Sequence, residues 1–459
     1  MTWKEYRRTR VAATGTMFTK TEILRLLIPL IIEQLLNYLV GLGDSVMVSS
    51  AGDAAVSAVS LVDTISVLMV NVFSALAAGG AIVVGQYLGR GTRERAQNAA
   101  RQMMAVLLVL SVAVMALLLI FEEPILRFLF GKSEAVVQEN CRTYYHIVMQ
   151  SVPFIALYNG GAALFRGVGD SRTPMRISFL MNAVNIAGNA LLIYGLRLGV
   201  AGVAIPTLVS RGIAMVLILV LSMRKSFPLN LRDLRYYRFE GLLVKQILSM
   251  GVPNSLESGM FQMGKILLFS LVSTLPTFAI TANAIGNSMV TLHSVIGSSV
   301  NLGMVSIVSR CVGAGDYPQA RWYIEHLVGF VYKVQGVTCS LMLAAIPLIL
   351  RAYHATGETA RLAGTIMLIH GIGIILIWPA AFCFNTGMRA AGDMRHTMVV
   401  AAGSMWLCRV GLGCLFVLVF HTGVLGIWFA WLIDWTFRIC FFLPRYFSGK
   451  WETKAISQR

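Results

Sequence analysis

Two acidic side chains lie inside the first long apolar run of the sequence, which extends from about residue 23 to residue 49. Glu33 and Asp44 are eleven positions apart, and Asn37 lies between them. In a helix with about 100° per residue, four positions differ by about 40° and eleven by about 20°, so the three residues share one face. An ionisable group within a membrane span is costly unless it has a partner, so this face is a candidate functional site.

A second polar stripe lies in the fifth apolar run. Asn182, Asn185 and Asn189 recur at three- and four-residue spacing, which places them on one helical face, and Thr207 follows in the sixth run. Their amide and hydroxyl oxygens are hard ligands for a monovalent cation. The alternative interpretation is that the asparagines only join helices by hydrogen bonds.

A third stripe, Glu257, Phe261 and Lys265, has four-residue steps in the seventh run. Glu257 either titrates as a coupling or drug-binding acid, or pairs with a neighbour and holds the helices together. Lys265 disfavours a bound cation nearby, and it is equally suited to receive an anionic substrate group. Four more ionisable residues inside apolar runs are open between pairing and function, with pairing favoured: Arg211, Lys333, Arg409 and Asp434.

The helices that position these stripes must cross a bilayer. Of 459 residues, 57% are hydrophobic and 13% charged, with a mean hydropathy of +0.72. This composition predicts an all-α polytopic membrane protein. Twelve apolar runs lie near 23–49, 55–86, 101–121, 143–164, 175–196, 200–223, 243–273, 277–309, 327–350, 360–388, 397–420 and 424–447.

The net charge of +17 follows the predicted topology. Most Lys and Arg residues lie in one alternate set of connecting segments, including the amino-terminal tail, 224–245 and 438–459. By the positive-inside rule, both termini are cytoplasmic in a multi-pass plasma (inner) membrane protein. The basic surplus therefore serves orientation in the lipid bilayer, and nucleic acid is not an expected partner.

The chain contains an internal duplication. Pro29 and Glu33 recur as Pro253 and Glu257, and three further segments recur in the same order at a nearly constant offset along the chain. These segments are 87–96 with 311–320, 165–175 with 388–398, and 198–202 with 422–426. We therefore predict two six-helix lobes, residues 1–232 and 233–459, as parallel repeats, because each copy has an even number of spans.

Three motifs resemble those of the multidrug and toxic compound extrusion family: "GLGDSVMVSSAG" at 41–52, "GRGTRERA" at 89–96 and "FRGVGDSRTPM" at 165–175. The second and third motifs each have a copy in the other half, so the resemblance covers essentially the whole chain. The resemblance implies a V-shaped pair of lobes. It also implies efflux of cationic or amphipathic organic compounds by alternating access, coupled to Na⁺ or H⁺.

The resemblance also implies an amino-lobe cation site at Asp44, Asn185, Asn189 and Thr207. Asn189 stands where some members of the family have a second acid, which weighs against purely proton-driven coupling. In the carboxyl lobe, the segment 376–382 lacks the acid that classical members carry there. A carboxyl-lobe sodium site of that kind is not expected, and Glu33, Asn37, Glu257, Phe261 and Lys265 are candidates for substrate binding or proton coupling.

Two other functions compete with the antiporter interpretation. A flippase for a lipid-linked or other amphipathic metabolite usually carries extra helices and a more cationic cavity. A polytopic membrane enzyme needs a catalytic constellation, and the sequence contains neither His-Glu-x-x-His nor Gly-x-Ser-x-Gly. We therefore expect a monomeric secondary transporter without a cofactor, driven by an ion gradient and acting on small organic molecules.

Overall fold

The structure is a computed structural model that describes residues 16–50, 52–131, 134–232 and 239–455. The basic tail up to residue 15 and the last four residues, which belong to the predicted cytoplasmic termini, lie outside the described residues. Within the described ranges the regular structure is entirely helical.

The first half of the chain contains α1 (Lys20–Ser49), α2 (Asp53–Gly89), α3 (Arg93–Ile120), α4 (Glu122–Phe130), α5 (Ala135–Met149), α6 (Val152–Gly167), α7 (Arg172–Asn189), a π-helical segment (Ala190–Gly195) and α8 (Ala201–Ser222). The second half contains α9 (Gly241–Val272), α10 (Thr277–Gly313), α11 (Tyr317–Ala344), α12 (Ile346–Ala352), α13 (Gly357–Leu376), α14 (Trp378–Ala390), α15 (Met394–Ser404), a second π-helical segment (Met405–Gly411), α16 (Leu412–Leu418) and α17 (Val424–Phe447).

The described residues form two compact units. The amino unit comprises Leu24–Ser255, and the carboxyl unit comprises Leu256–Arg459 together with the described residues up to Ile23. Helices α1 and α9 therefore each contribute residues to both units. The segment 233–238, which follows the predicted lobe boundary, lies outside the described residues.

Ten described helices are long and apolar enough to cross a membrane, or eleven if the pair α5 and α6, bent by 42°, forms one span. The remaining predicted run, the seventh at 243–273, coincides with α9, which has 32 residues. Helix α9 is long enough to span but is not among the ten, because polar residues such as Glu257 and Lys265 lower its hydropathy. The count of twelve spans stays a prediction.

Breaks in the helices occur near the predicted polar stripes. A π-helical segment follows Asn189 directly, and the second one contains Arg409. A π-helical turn inserts a residue into the helix and re-aims the side chains around it, and such turns are frequent at functional sites. Both breaks therefore change the direction of polar side chains within a span.

Candidate functional site

A cavity of about 310 Å³ lies within the amino unit. Asp44, Asn185, Asn189 and Thr207 all line it, so the structure brings the four predicted cation-site residues together. Asp44 and Thr207 are half-buried, whereas Asn185 and Asn189 are 8% and 1% exposed. Helices α1, α7 and α8 each contribute at least one of these side chains.

A chain of hydrogen bonds connects the four side chains. The Nδ2 of Asn189 donates to Oδ1 of Asp44 at 3.1 Å and to Oδ1 of Asn185 at 3.4 Å. The Nδ2 of Asn185 donates to Oγ1 of Thr207 at 3.3 Å. The buried Oδ1 of Asn189 has no hydrogen-bond partner among the described residues. An unpaired buried acceptor is costly, and a cation or a water molecule would satisfy it.

A close contact between α7 and α8 sets the spacing of these groups. A Cβ atom added to Gly188 would lie 2.8 Å from Cβ of Pro206, which is closer than side chains tolerate. The neighbours of these two residues, Asn189 and Thr207, belong to the site. Glycine at position 188 therefore lets the two helices approach closely enough for α7 and α8 to share one polar cluster.

A second acid lines the same cavity, and the sequence interpretation did not include it. Asp63 of α2 accepts a hydrogen bond from the Tyr144 hydroxyl at 2.9 Å. Arg211 also lines the cavity and donates to Ser151 at 2.8 Å and to Ser66 at 3.3 Å. Asp63 was detectable as an acid inside the second apolar run, but its partner Tyr144 is 81 residues away.

Glu33 lies apart from the residues that line this cavity. Its Oε1 atom forms an ion pair of 2.7 Å with Arg166, and the two side chains are 4% and 14% exposed. Asn37, one turn later, accepts hydrogen bonds from Ser178 at 3.1 Å and from Asn182 at 2.9 Å. Asn182 lines the cavity, so this hydrogen bond connects Asn37 to the cavity lining.

The carboxyl unit repeats this ion pair. Glu257 contacts Arg389 at 3.2 Å, with side chains 13% and 19% exposed. Arg166 and Arg389 belong to the duplicated segments 165–175 and 388–398, so two recurring motifs are ionic partners in each repeat. Glu257 is therefore ion-paired in the structure, and its role as a coupling or drug-binding acid stays a prediction.

The carboxyl unit has a different polar interior. Asp434, with no exposed surface, contacts Arg409 at 2.7 Å and Arg438 at 3.1 Å. Phe261 lies beside both arginines, and Lys265 stands one turn further along α9. The predicted pairing of Arg409 with a neighbour is therefore what the structure shows, and the neighbour is Asp434.

The model of one known family, MatE, matches the chain twice, over residues 29–191 and 253–415. The two matched segments have equal length, and their first positions are occupied by the recurring prolines Pro29 and Pro253. The chain belongs to the multidrug and toxic compound extrusion (MATE) family. The double match also confirms the internal duplication.

Relatives of this MATE protein cover nearly its whole length. "Uncharacterized transporter YisQ" of Bacillus subtilis (strain 168) is 24% identical over 94% of each chain. "Probable multidrug resistance protein NorM" of Thermotoga maritima is 24% identical, over 96% of this chain and 95% of the relative. A solved "outward-facing conformation of a multidrug resistance MATE family transporter of the MOP superfamily" superposes with a TM-score of 0.85 at 20% identity, covering 95% of this chain and 96% of the other.

These findings confirm three predictions for the MATE protein. It has the all-α two-lobe fold of the family, it is a multi-pass membrane protein, and it is a transporter rather than an enzyme.

Proposed function

We propose that this MATE protein is a cation-coupled antiporter that exports amphipathic organic compounds by alternating access. The coupling ion, Na⁺ or H⁺, binds in the amino-unit cavity at Asp44. The observation that carries the proposal is the hydrogen-bonded chain from Asp44 through Asn189 and Asn185 to Thr207 around one cavity. Two relatives are named probable multidrug resistance proteins, which supports the export of organic compounds.

The charges around the cavity favour a monovalent cation. Two carboxylates, Asp44 and Asp63, and one guanidinium, Arg211, line it. When both acids are ionised, the lining carries one net negative charge, which a single sodium ion or proton neutralises. Charge in a site screened from water is stabilised by such pairing.

The neutral oxygens favour sodium as one of the two ions. A proton needs one base, whereas sodium replaces its hydration shell with several oxygen atoms. The unpaired Oδ1 of Asn189 is one such ligand, and the hydroxyl of Thr207 lies on the same wall. Asp44 alone is sufficient for a proton. We therefore propose that the site accepts either ion, and that the amide oxygens of the asparagines contribute to the binding of sodium.

The test is transport by the purified protein in proteoliposomes, with a sodium gradient and a proton gradient imposed separately. Ethidium, an aromatic cation, serves as the reporter substrate. We expect at least one gradient to drive ethidium transport by the wild type. Asp44→Asn should reduce that transport to the level of protein-free vesicles, because the substitution removes the charge that holds the ion.

Asp53→Asn is the matched control. Asp53 is an exposed acid in the first turn of α2, in the same unit, and its substitution should leave transport unchanged. Monodisperse elution of the Asp44 variant in detergent would show that it is folded. Undiminished gradient-driven transport by Asp44→Asn would exclude Asp44 as the coupling residue.

The remaining parts of the proposal concern location and assembly. We propose a plasma (inner) membrane location with both termini cytoplasmic, supported by the distribution of Lys and Arg between alternate segments. We also propose that the monomer is the transporting species, because every proposed coupling ligand comes from one unit of one chain.

A further inference from the structure

Three cationic side chains surround one aromatic ring in the carboxyl unit. The Nζ atom of Lys265 lies 5.1 Å from the centre of the Phe261 ring. The guanidinium carbons of Arg409 and Arg438 lie 4.9 Å and 6.0 Å from the same centre. A ring face attracts a cation, so Phe261 helps to hold three like charges close together.

One acid in this cluster does not balance three cations. Asp434 contacts both arginines, which leaves the four ionisable groups with a net charge of +2. Among the described residues no ion pair joins Lys265 to an acid, and the buried Nε of Arg409 has no hydrogen-bond partner there. Unbalanced charge away from water is costly, so an anion in contact with this cluster would be stabilised.

The cationic side chains of this cluster differ in their solvent exposure. Arg409 is 2% exposed, whereas Lys265 is exposed. Gly264, next to Lys265, packs so closely on Met405 that an added Cβ would lie 2.3 Å from its Cε atom. Helix α9 is thereby held against the π-helical segment that carries Arg409, so that the exposed Lys265 and the buried Arg409 lie beside the same Phe261 ring.

The duplication relates this cluster to the amino-unit site. Pro29 and Pro253 are equivalent positions of the two repeats. The same offset along the chain makes Gly41 equivalent to Lys265 and Ser210 equivalent to Asp434. Gly41 and Ser210 line the amino-unit cavity. The same place in the fold therefore carries net negative charge in one repeat and net positive charge in the other.

We propose that the carboxyl unit contains an anion-receiving site, in which Lys265 binds the acidic group of an amphipathic aromatic substrate. Arg409 adds to the positive potential behind Lys265, and the Phe261 ring lies beside the bound group. The substrate class is an organic anion or zwitterion that carries a carboxylate, a sulfonate or a phosphate. As a substrate site it rests on the export function proposed above, but the site itself is open to a binding test that needs no transport.

The test uses two xanthene dyes of opposite charge, fluorescein (anionic) and rhodamine 6G (cationic). Dye anisotropy is titrated with the full-length protein in detergent, with protein-free micelles as the blank. We expect Lys265→Gln to weaken fluorescein binding about tenfold, the effect of one lost charge-assisted hydrogen bond. Rhodamine 6G binding should be unchanged or tighter, and Lys265→Arg should retain fluorescein binding.

Lys333→Gln is the matched control, since Lys333 is another exposed lysine in a helix of the same unit. Equal affinity of wild type and Lys265→Gln for fluorescein, an equal loss in Lys333→Gln, or an equal loss for rhodamine 6G would each overturn the anion site. Such results would mean that Lys265 does not bind the acidic group of the dye. Asp44→Asn should leave fluorescein binding unchanged, so failure of the coupling proposal and failure of the anion site give different results.

Discussion

The two units keep the same ion pair but differ in their polar interiors. In each repeat the glutamate that follows the recurring proline forms an ion pair with the arginine of the second recurring motif. The pairs are Glu33 with Arg166 and Glu257 with Arg389. In contrast, the amino unit has a cavity with one unpaired oxygen atom, Oδ1 of Asn189, whereas the carboxyl unit fills the corresponding place with Arg409 and Asp434. The duplicated scaffold therefore has the same kind of ion pair in both repeats, while the two polar interiors differ in net charge.

The largest expected effect comes from removing the acid of the carboxyl-unit cluster. Asp434→Asn leaves Arg409 and Arg438 without a counter-charge, and breaking a buried ion pair in this way costs about 3–5 kcal/mol. We expect poor folding or a large drop in the thermal unfolding temperature in detergent. The same substitution at Asp63, whose partner is the neutral Tyr144 hydroxyl, should cost less.

A triple variant controls for a general intolerance of substitution at this position. Asp434→Leu combined with Arg409→Met and Arg438→Met removes all three charges together, and should restore much of the stability. If Asp434→Asn is as stable as the wild type, the guanidinium groups do not need their acid, and the contrast between the two interiors is wrong.

The next effect concerns the repeated ion pair. Glu33→Gln and Glu257→Gln each remove one charge-assisted hydrogen bond, worth about 1.5–3 kcal/mol. The Glu33 pair is shorter, at 2.7 Å against 3.2 Å, and its glutamate is less exposed, so Glu33→Gln should destabilise more. Thermal unfolding of the two variants side by side measures the difference. A reversed order would show that the two repeats do not use the pair equivalently.

Particular residues show what could be predicted from the sequence. Helical spacing placed Asn185 and Asn189 on one face, and the duplication followed from motif order, because both are local or periodic properties. The resemblance added Asp44 and Thr207. The Asp63–Tyr144 contact and the Glu33–Arg166 ion pair were missed, since their partners are 81 and 133 residues apart and depend on which helices pack together.

Gly41 offers a way to transfer the charge of one unit to the other. It corresponds to Lys265, and a Cβ atom added there would meet nothing within 4 Å. Gly41→Lys should place an ammonium group at the cavity and weaken cation binding about tenfold, about 1.4 kcal/mol. Gly41→Met, similar in length but uncharged, is the control. Cation-driven ethidium transport measures both, and equal transport by the two variants would argue against electrostatics as the difference between the units.

The smallest expected effect tests whether the amide oxygens bind sodium. A ligand at ten times its Kd stabilises the folded protein by about 1.4 kcal/mol. Wild-type protein should therefore unfold at a higher temperature in sodium chloride than in choline chloride at equal ionic strength. Asn189→Ala removes the unpaired Oδ1, and a tenfold weaker Kd at the same sodium concentration leaves only about 0.4 kcal/mol.

Asn287→Ala is the control for that experiment. Asn287 corresponds to Asp63 in the repeat and donates a hydrogen bond to the carbonyl of Asn283 in its own helix. Because the carboxyl unit is expected to bind no sodium, this variant should keep the full difference between the two salts. If sodium neither stabilises the wild type nor drives transport, and Asn189→Ala has no effect, the amino-unit cavity is not a sodium site. Asp44 would then bind a proton alone, and the amide oxygen of Asn189 would have no part in ion binding.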